Sequence, residues 1–332
     1  MQISQRHVLR FLVGTTATVS FLWLFLREVD LGGAWRKISA LPSWTLVGAF
    51  VLIVVNLGFM ALRWRYLLAG AGYRIPLRSL FSAVSVGRGA NSFLPARGGD
   101  FVRIESLREI GQVPAFVTAG TLFAERLLDG VFFASWILLG ALLLGQGGPM
   151  FLTGIALAAG TAVGVLLVVV AAKHPDATER LVWRGTRRLP PRWHTRFTRS
   201  AAHFVEGLGA FRRRRRVVLA FATSAGMWLA DVAMFALVGR AFGLEVGIGA
   251  YFLLEGIANL TLAVPATAAG IGSFDYLTFV AARAVDVPAP TATAYVLTLH
   301  ALVVLPVTLL GALLVRPALP RLFGRREAKE AG

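Results

Sequence analysis

Apolar residues in this chain come in long unbroken runs, not in the short alternations of a soluble domain. About 20 residues of helix cross a hydrocarbon core of about 30 Å, and residues 8–26, 44–62, 151–172, 217–241 and 290–315 meet that length. Residues 114–144 run further, past the core by about half at 1.5 Å rise per residue. A tilt or break is therefore predicted there, marked by Glu125, Arg126 and Asp129. The pattern amounts to about six full spans.

Two further apolar stretches are interrupted. Residues 84–103 read VSVGRGANSFLPARGGDFVR, with Arg88, Asn91, Pro95, Gly98 and Gly99 among Arg97, Asp100 and Arg103. The second carries Glu255 and Asn259, then Pro265-Ala266, Gly270, Gly272 and Asp275. Proline and paired glycine end a helix, and broken backbone at membrane depth is tolerated only where protein or a watery cavity surrounds it. Each stretch therefore predicts a re-entrant half-helix hairpin lining a polar site, with N–H groups freed at Gly98-Gly99 and at 270–272 to favour an anion. Residues 100–109 follow as an expected surface helix, with Phe101, Ile104 and Leu107 opposite Arg103 and Glu109.

The polar remainder sets the topology. Arg63, Arg65, Arg74 and Arg78 close the second span, and residues 173–216 hold 13 basic side chains against Asp176, Glu179 and Glu206. A basic tail follows, with Arg316, Arg321, Arg325, Arg326 and Lys329. By the positive-inside rule these segments and both termini are cytoplasmic. One hairpin then enters from inside and the other from outside, an inverted-repeat arrangement of the kind alternating-access transporters use. The prediction is one all-α polytopic domain over 1–332, with halves at about 1–172 and 217–315, a cytoplasmic loop at 173–216 and a tail at 316–332. Within the loop, Trp193, Phe197, Ala201, Phe204, Leu208 and Phe211 stay inside an arc of about 80°, which predicts a helix lying on anionic leaflet lipids. A docking surface for a protein is the competing reading of the same arc.

Composition agrees: 332 residues, 56% hydrophobic and 15% charged, with mean hydropathy +0.68. The net charge of +17 lies between apolar runs, so no nucleic-acid partner is expected. The first run follows Arg6 and Arg10 as a signal peptide would, but Arg27-Glu28 replaces a small-residue cleavage pattern, which predicts a retained span. The chain has no cysteine, its five histidines lack metal spacing, and no P-loop or hydrolase arrangement is present. No cofactor and no enzymatic activity are expected.

Ionisable groups inside a membrane cost several kcal/mol and are functional candidates by default. Here they are Arg88, Arg97, Glu125, Arg126, Asp129, Asp231, Glu255, Asp275 and His300. Glu125 and Asp129 lie one helical turn apart, with Arg126 about 100° away. An acidic pair beside an arginine is how an empty site would hold a guanidinium clamp meant for phosphate. Asp231 and His300 stand singly on apolar faces.

The chain resembles the flippase-like family formed by the transmembrane half of bacterial lysylphosphatidylglycerol synthases and its stand-alone relatives. The residues that carry the resemblance are Arg63 with Leu67-Leu68, Asn91 to Arg103 as NSFLPARGGDFVR, Glu125-Arg126-Leu127-Leu128-Asp129, and Pro265 to Asp275. Asp275 stands where the family pattern has glutamate, with Ala268-Ala269 before the glycine. The resemblance implies a bacterial inner-membrane protein that moves or presents lipids, here the translocating half without an aminoacyl transferase domain. On that reading Arg88, Arg97 and Arg103 contact a headgroup phosphate, Glu125 and Asp129 position Arg126 or couple to protons, and Asp275 serves the outer hairpin, with Asn91, Asp100, Glu255 and Asn259 completing the site. Two other classes compete. One is a membrane-embedded enzyme using Glu125 and Asp129 as acid and base on a lipid or polyprenyl-phosphate headgroup, and the other a non-catalytic partner recruiting a cytosolic glycosyltransferase through 173–216.

Overall fold

The structure, a computed structural model, describes residues 20–27, 31–94, 98–145, 147–263 and 270–315. Every regular element among them is helical. In chain order these are α1 (20–27), α2 (Leu31–Ser39), α3 (Ser43–Gly70), α4 (Leu77–Asn91), α5 (Gly99–Gly111), α6 (Ala115–Leu143), α7 (Pro149–Lys173), α8 (Pro175–Thr186), α9 (Pro191–Gly207), α10 (Arg214–Ala241), α11 (Ile248–Ala263), α12 (Ser273–Ala284) and α13 (Ala289–Val315). Proline sets many of the starts. Pro42, Pro76, Pro114 and Pro190 immediately precede α3, α4, α6 and α9, and Pro149 and Pro175 open α7 and α8. A residue with no N–H and a fixed φ belongs at a helix start.

Five of the described helices are long and apolar enough to cross a membrane: α3, α6, Phe151–Lys173 within α7, α10 and α13. Each coincides with an expected span. The sixth expected span, 8–26, falls mostly outside the described residues. α6 runs unbroken for 29 residues, so of the tilt or break expected at Glu125, Arg126 and Asp129 the break is absent; paired side chains on neighbouring helices absorb those charges.

Helices approach closely where small residues meet. A Cβ on Gly140 would strike Leu253 and Gly249 of α11, one on Gly256 of α11 would strike Ile137, and one on Gly89 of α4 would crowd Val307 and Thr308 of α13. Lipid offers no hydrophobic incentive for helices to associate, so small-residue contacts of this kind hold a membrane bundle together. α4 and α5 fold back on each other as one hairpin, α11 and α12 as another.

Two sequence expectations are corrected. The piece at 100–109 does not lie on the surface with Arg103 outward: α5 is the second limb of the first hairpin, Gly99, Arg103 and Leu107 are its buried residues, and Phe101 is 72% exposed. An amphipathic reading fails where the interior is ionic and the exterior is lipid, because polar and apolar faces exchange places. The connecting segment 173–216, expected to hold one helix along the arc from Trp193 to Phe211, holds the helix pair α8 and α9 followed by a 3-10 turn, Gly209–Arg212. Its apolar arc divides. Trp193 and Phe197 remain exposed, whereas Leu208 (2% exposed) and Phe211 pack into the body beside Leu67 and Ala124. Gly207 abuts Gly120 of α6 at 2.9 Å, measured from the position its Cβ would take. Arg212 Nε donates to Ala172 O at 2.7 Å and so caps the end of α7. Tyr73, just past α3, hydrogen-bonds Glu206 of α9, and burial together with that carboxylate raises its phenol pKa.

Candidate functional site

Where the first hairpin meets α3 and α6, three arginines and three carboxylates interlock. Arg103 of α5 donates to both oxygens of Glu125 on α6, at 2.9 and 3.1 Å. Arg63 of α3 bonds Asp129 Oδ1 at 2.7 Å, lies 3.8 Å from Glu125, and reaches Ser224 Oγ of α10 at 3.3 Å. Arg126 spans Asp100 with two bonds of 3.1 Å and touches Asp129 at 3.4 Å. A guanidinium fork matches a carboxylate bidentately, as Arg103 does on Glu125, while Arg126 reaches both Asp100 oxygens from Nη2 alone. Trp64 supports it from below, its ring 4.0 Å from the Arg103 guanidinium and its indole N–H bonded to Thr121 Oγ1 at 3.0 Å.

Backbone geometry makes the approach possible. A Cβ on Gly87 would meet the Arg103 stem, and one on Gly99 would overlap the Gly87 carbonyl. Asn91 Oδ1 accepts from the Gly99 N–H at 2.8 Å, and Gly272 N–H donates to Asp275 Oδ2 at 2.9 Å. These two N–H groups, expected to be free for an anion, are therefore satisfied within the chain.

The network is graded in access. Arg63, Arg103 and Glu125 are buried, while the Arg126 and Asp100 side chains are 35% and 24% exposed. Two donors stay unused in the buried part: Nε of Arg63 and Nε of Arg103 have no hydrogen-bond partner. Buried donors without partners are costly and few in native structures, so these two can each take a further acceptor.

Other expected site residues distribute around this centre. Arg88 of α4 contacts Met60 Sδ at 3.3 Å and faces the opposite charge of Asp231 of α10, which also hydrogen-bonds Asn56 of α3. Asp275 bonds His300 Nδ1 at 2.7 Å. Asp231 and His300 thus do not stand singly; helix packing supplies partners that no local pattern reveals. Glu255 takes a 2.7 Å bond from Asn259 Nδ2, four residues on in α11. Arg97 and residues 265–269 lie outside the described residues.

Of the two carboxylates expected to position Arg126 or couple to protons, Asp129 touches Arg126 and Glu125 turns to other arginines. It holds Arg103 and Arg63, and the carboxylates on Arg126 are Asp100 and Asp129. The run of apolar residues ends before Arg63 and so predicts a span closed there, yet α3 continues to Gly70 and buries Arg63. A signal existed: Asn56, Met60, Arg63 and Leu67 step by 4, 3 and 4, one buried helical face with polar members.

Fold and site together define a polytopic, all-helical membrane protein with an ionic network inside its helical body. The chain matches the lysylphosphatidylglycerol synthase TM region over residues 8–311 and belongs to that family. It is 27% identical over 323 residues to a protein of Haloferax volcanii named glycosyltransferase AglD, covering 86% of this chain and 50% of that one. It is 28% identical over 244 residues to a UPF0104 membrane protein of Methanothermobacter thermautotrophicus, covering 68% of each. The chain therefore spans half the length of the first relative.

Proposed function

We propose that the protein moves a lipid with an anionic or glycosylated headgroup between the leaflets of the inner, cytoplasmic membrane, with its basic segments on the cytoplasmic side. The observation that carries this reading is the pair of unused guanidinium donors in a buried network whose outer member, Arg126, remains accessible. A phosphate oxygen would displace Asp100 from Arg126 first, since that pair is nearest the exterior, and would then find the free Nε groups of Arg103 and Arg63. Carboxylates hold the arginines in place while no lipid is bound, so the site is pre-organised and little side-chain entropy is lost on binding.

The test is movement of fluorescent phosphatidylglycerol in proteoliposomes at matched protein levels. Arg126→Ala should slow it by an order of magnitude or more, and Arg126→Lys should fail similarly because a point charge does not reproduce a two-pronged contact. Parent-rate movement in both Arg126→Ala and Asp100→Asn would remove the proposal. The relative named as a glycosyltransferase favours a second reading, in which the lipid is presented to glycosyl-transfer chemistry and not released. An unchanged rate of lipid movement, with loss of a glycolipid in cells lacking the protein, would select it.

A further inference from the structure

Glu255 lies on α11 with no exposed surface. Its Oε1 accepts from Asn259 at 2.7 Å, and its Oε2 has no hydrogen-bond partner. Of the helices packed against α11, α10 presents Asp231 and α6 presents Asp129, the two charged groups that act on Glu255. α12 presents Asp275, already engaged by His300 and by the Gly272 N–H. The guanidiniums of this interior are otherwise committed: Arg63 and Arg126 to Asp129, Arg103 to Glu125, Arg126 also to Asp100, and Arg88 facing Asp231. Among the described residues, four arginines and His300 thus meet six carboxyls, Asp100, Glu125, Asp129, Asp231, Asp275 and Glu255, and Glu255 has no cation within salt-bridge distance. An ionised carboxylate without a cation in a low-dielectric interior is strongly unfavourable, and a bound proton removes that penalty while leaving Oε2 as a hydroxyl able to donate.

We propose that Glu255 carries an exchangeable proton, held on the carboxyl in the arrangement described and traded with water during the lipid-moving cycle, so that a proton is the coupled ion. This rests on the transport reading above, and the step is simple: the carboxyl O–H breaks, its proton passes to water, and the carboxylate regains one from water later in the cycle. Asn259 is then a positioning residue that keeps Oε1 occupied and leaves Oε2 to bear the proton.

The first test does not depend on lipid movement. Dicyclohexylcarbodiimide adds the O–H of a protonated carboxyl across its C=N bond, and the O-acylisourea rearranges to a stable N-acylurea that peptide mass spectrometry locates. In the purified, folded full chain, Glu255 should be modified, with yield falling several-fold from acid to alkaline pH. Glu255→Asp should keep a label at 255, Glu255→Gln should lose it, and arginine-bound Glu125 should stay unlabelled. An unmodified Glu255 at acid pH in the folded protein overturns the proposal. In proteoliposomes, a pH gradient should change the rate of lipid movement in the parent and leave Glu255→Gln indifferent. Parent movement that ignores the gradient overturns coupling while leaving transport standing. If no lipid moves in any variant, the transport reading fails while the labelling result still decides whether 255 holds a proton.

Discussion

Arg103 on α5 and Glu125 on α6 are joined by two near-parallel hydrogen bonds of 2.9 and 3.1 Å, with the Trp64 ring 4.0 Å beneath the guanidinium. The contact ties the second limb of a hairpin to a full span. Removing one partner of a buried ion pair typically costs about 3–5 kcal/mol, whereas replacing both with apolar residues is often near neutral. Glu125→Gln should therefore destabilise the protein by several kcal/mol on that scale and shed hairpin contacts. The double change Arg103→Met with Glu125→Leu should recover much of the loss. Thermal unfolding of detergent-solubilised variants checks this, and additive effects of the two single changes would show that the pair is not coupled.

Close backbone approach makes a second prediction. Gly99→Ala drives a methyl into the Gly87 carbonyl, which has no flexible end to yield, while Gly58 has nothing within 4 Å of its Cβ position. Overpacking of this kind costs about 1–3 kcal/mol. Gly99→Ala should lower the unfolding midpoint and open the α4–α5 hairpin to hydrogen exchange. Gly58→Ala should leave it unchanged or raise it slightly, by helix propensity of up to about 1 kcal/mol.

The division of the apolar arc from Trp193 to Phe211 separates stability from surface contact. Leu208→Ala removes a buried side chain and should cost about 2–5 kcal/mol. Phe197→Ser alters an exposed one and should stay within about 0.5 kcal/mol of the parent, while weakening contact with anionic bilayers. Quenching of Trp193 fluorescence by brominated phosphatidylglycerol reports that contact. Equal quenching in parent and Phe197→Ser would place this helix against something other than membrane.

The chain lacks cysteine, so single cysteines report topology directly. On the proposed orientation, which puts the basic segments on the cytoplasmic side, Gly147→Cys and Glu245→Cys should react with an impermeant maleimide from outside, and Arg188→Cys only after the membrane is opened. Glu245 is preferable to its neighbour Gly243, whose φ of +71° disfavours a side chain. Labelling of Arg188→Cys in sealed cells would reverse the orientation.

Five long apolar runs were legible as spans because crossing a hydrocarbon core requires about 20 apolar residues in sequence, a purely local condition. Gly98 and Gly99 likewise marked the turn of the first hairpin, since loss of a Cβ acts where it occurs. Glu125, Arg126 and Asp129 were also visible, as charge out of place at membrane depth, whereas Asp100 and Arg103 were legible only as neighbours of the broken turn. Their pairing was not legible. Whether Glu125 meets Arg126 beside it or Arg103 on another helix depends on how α5 rotates against α6, and that rotation follows from Gly87 and Gly99 letting two backbones touch. Arg63 joined the site, and His300 found Asp275, by the same non-local route. Sequence determined which residues had to enter the membrane; only packing decided which charges would neutralise one another there, because Coulomb attraction in a low dielectric selects the nearest partner in space and not along the chain.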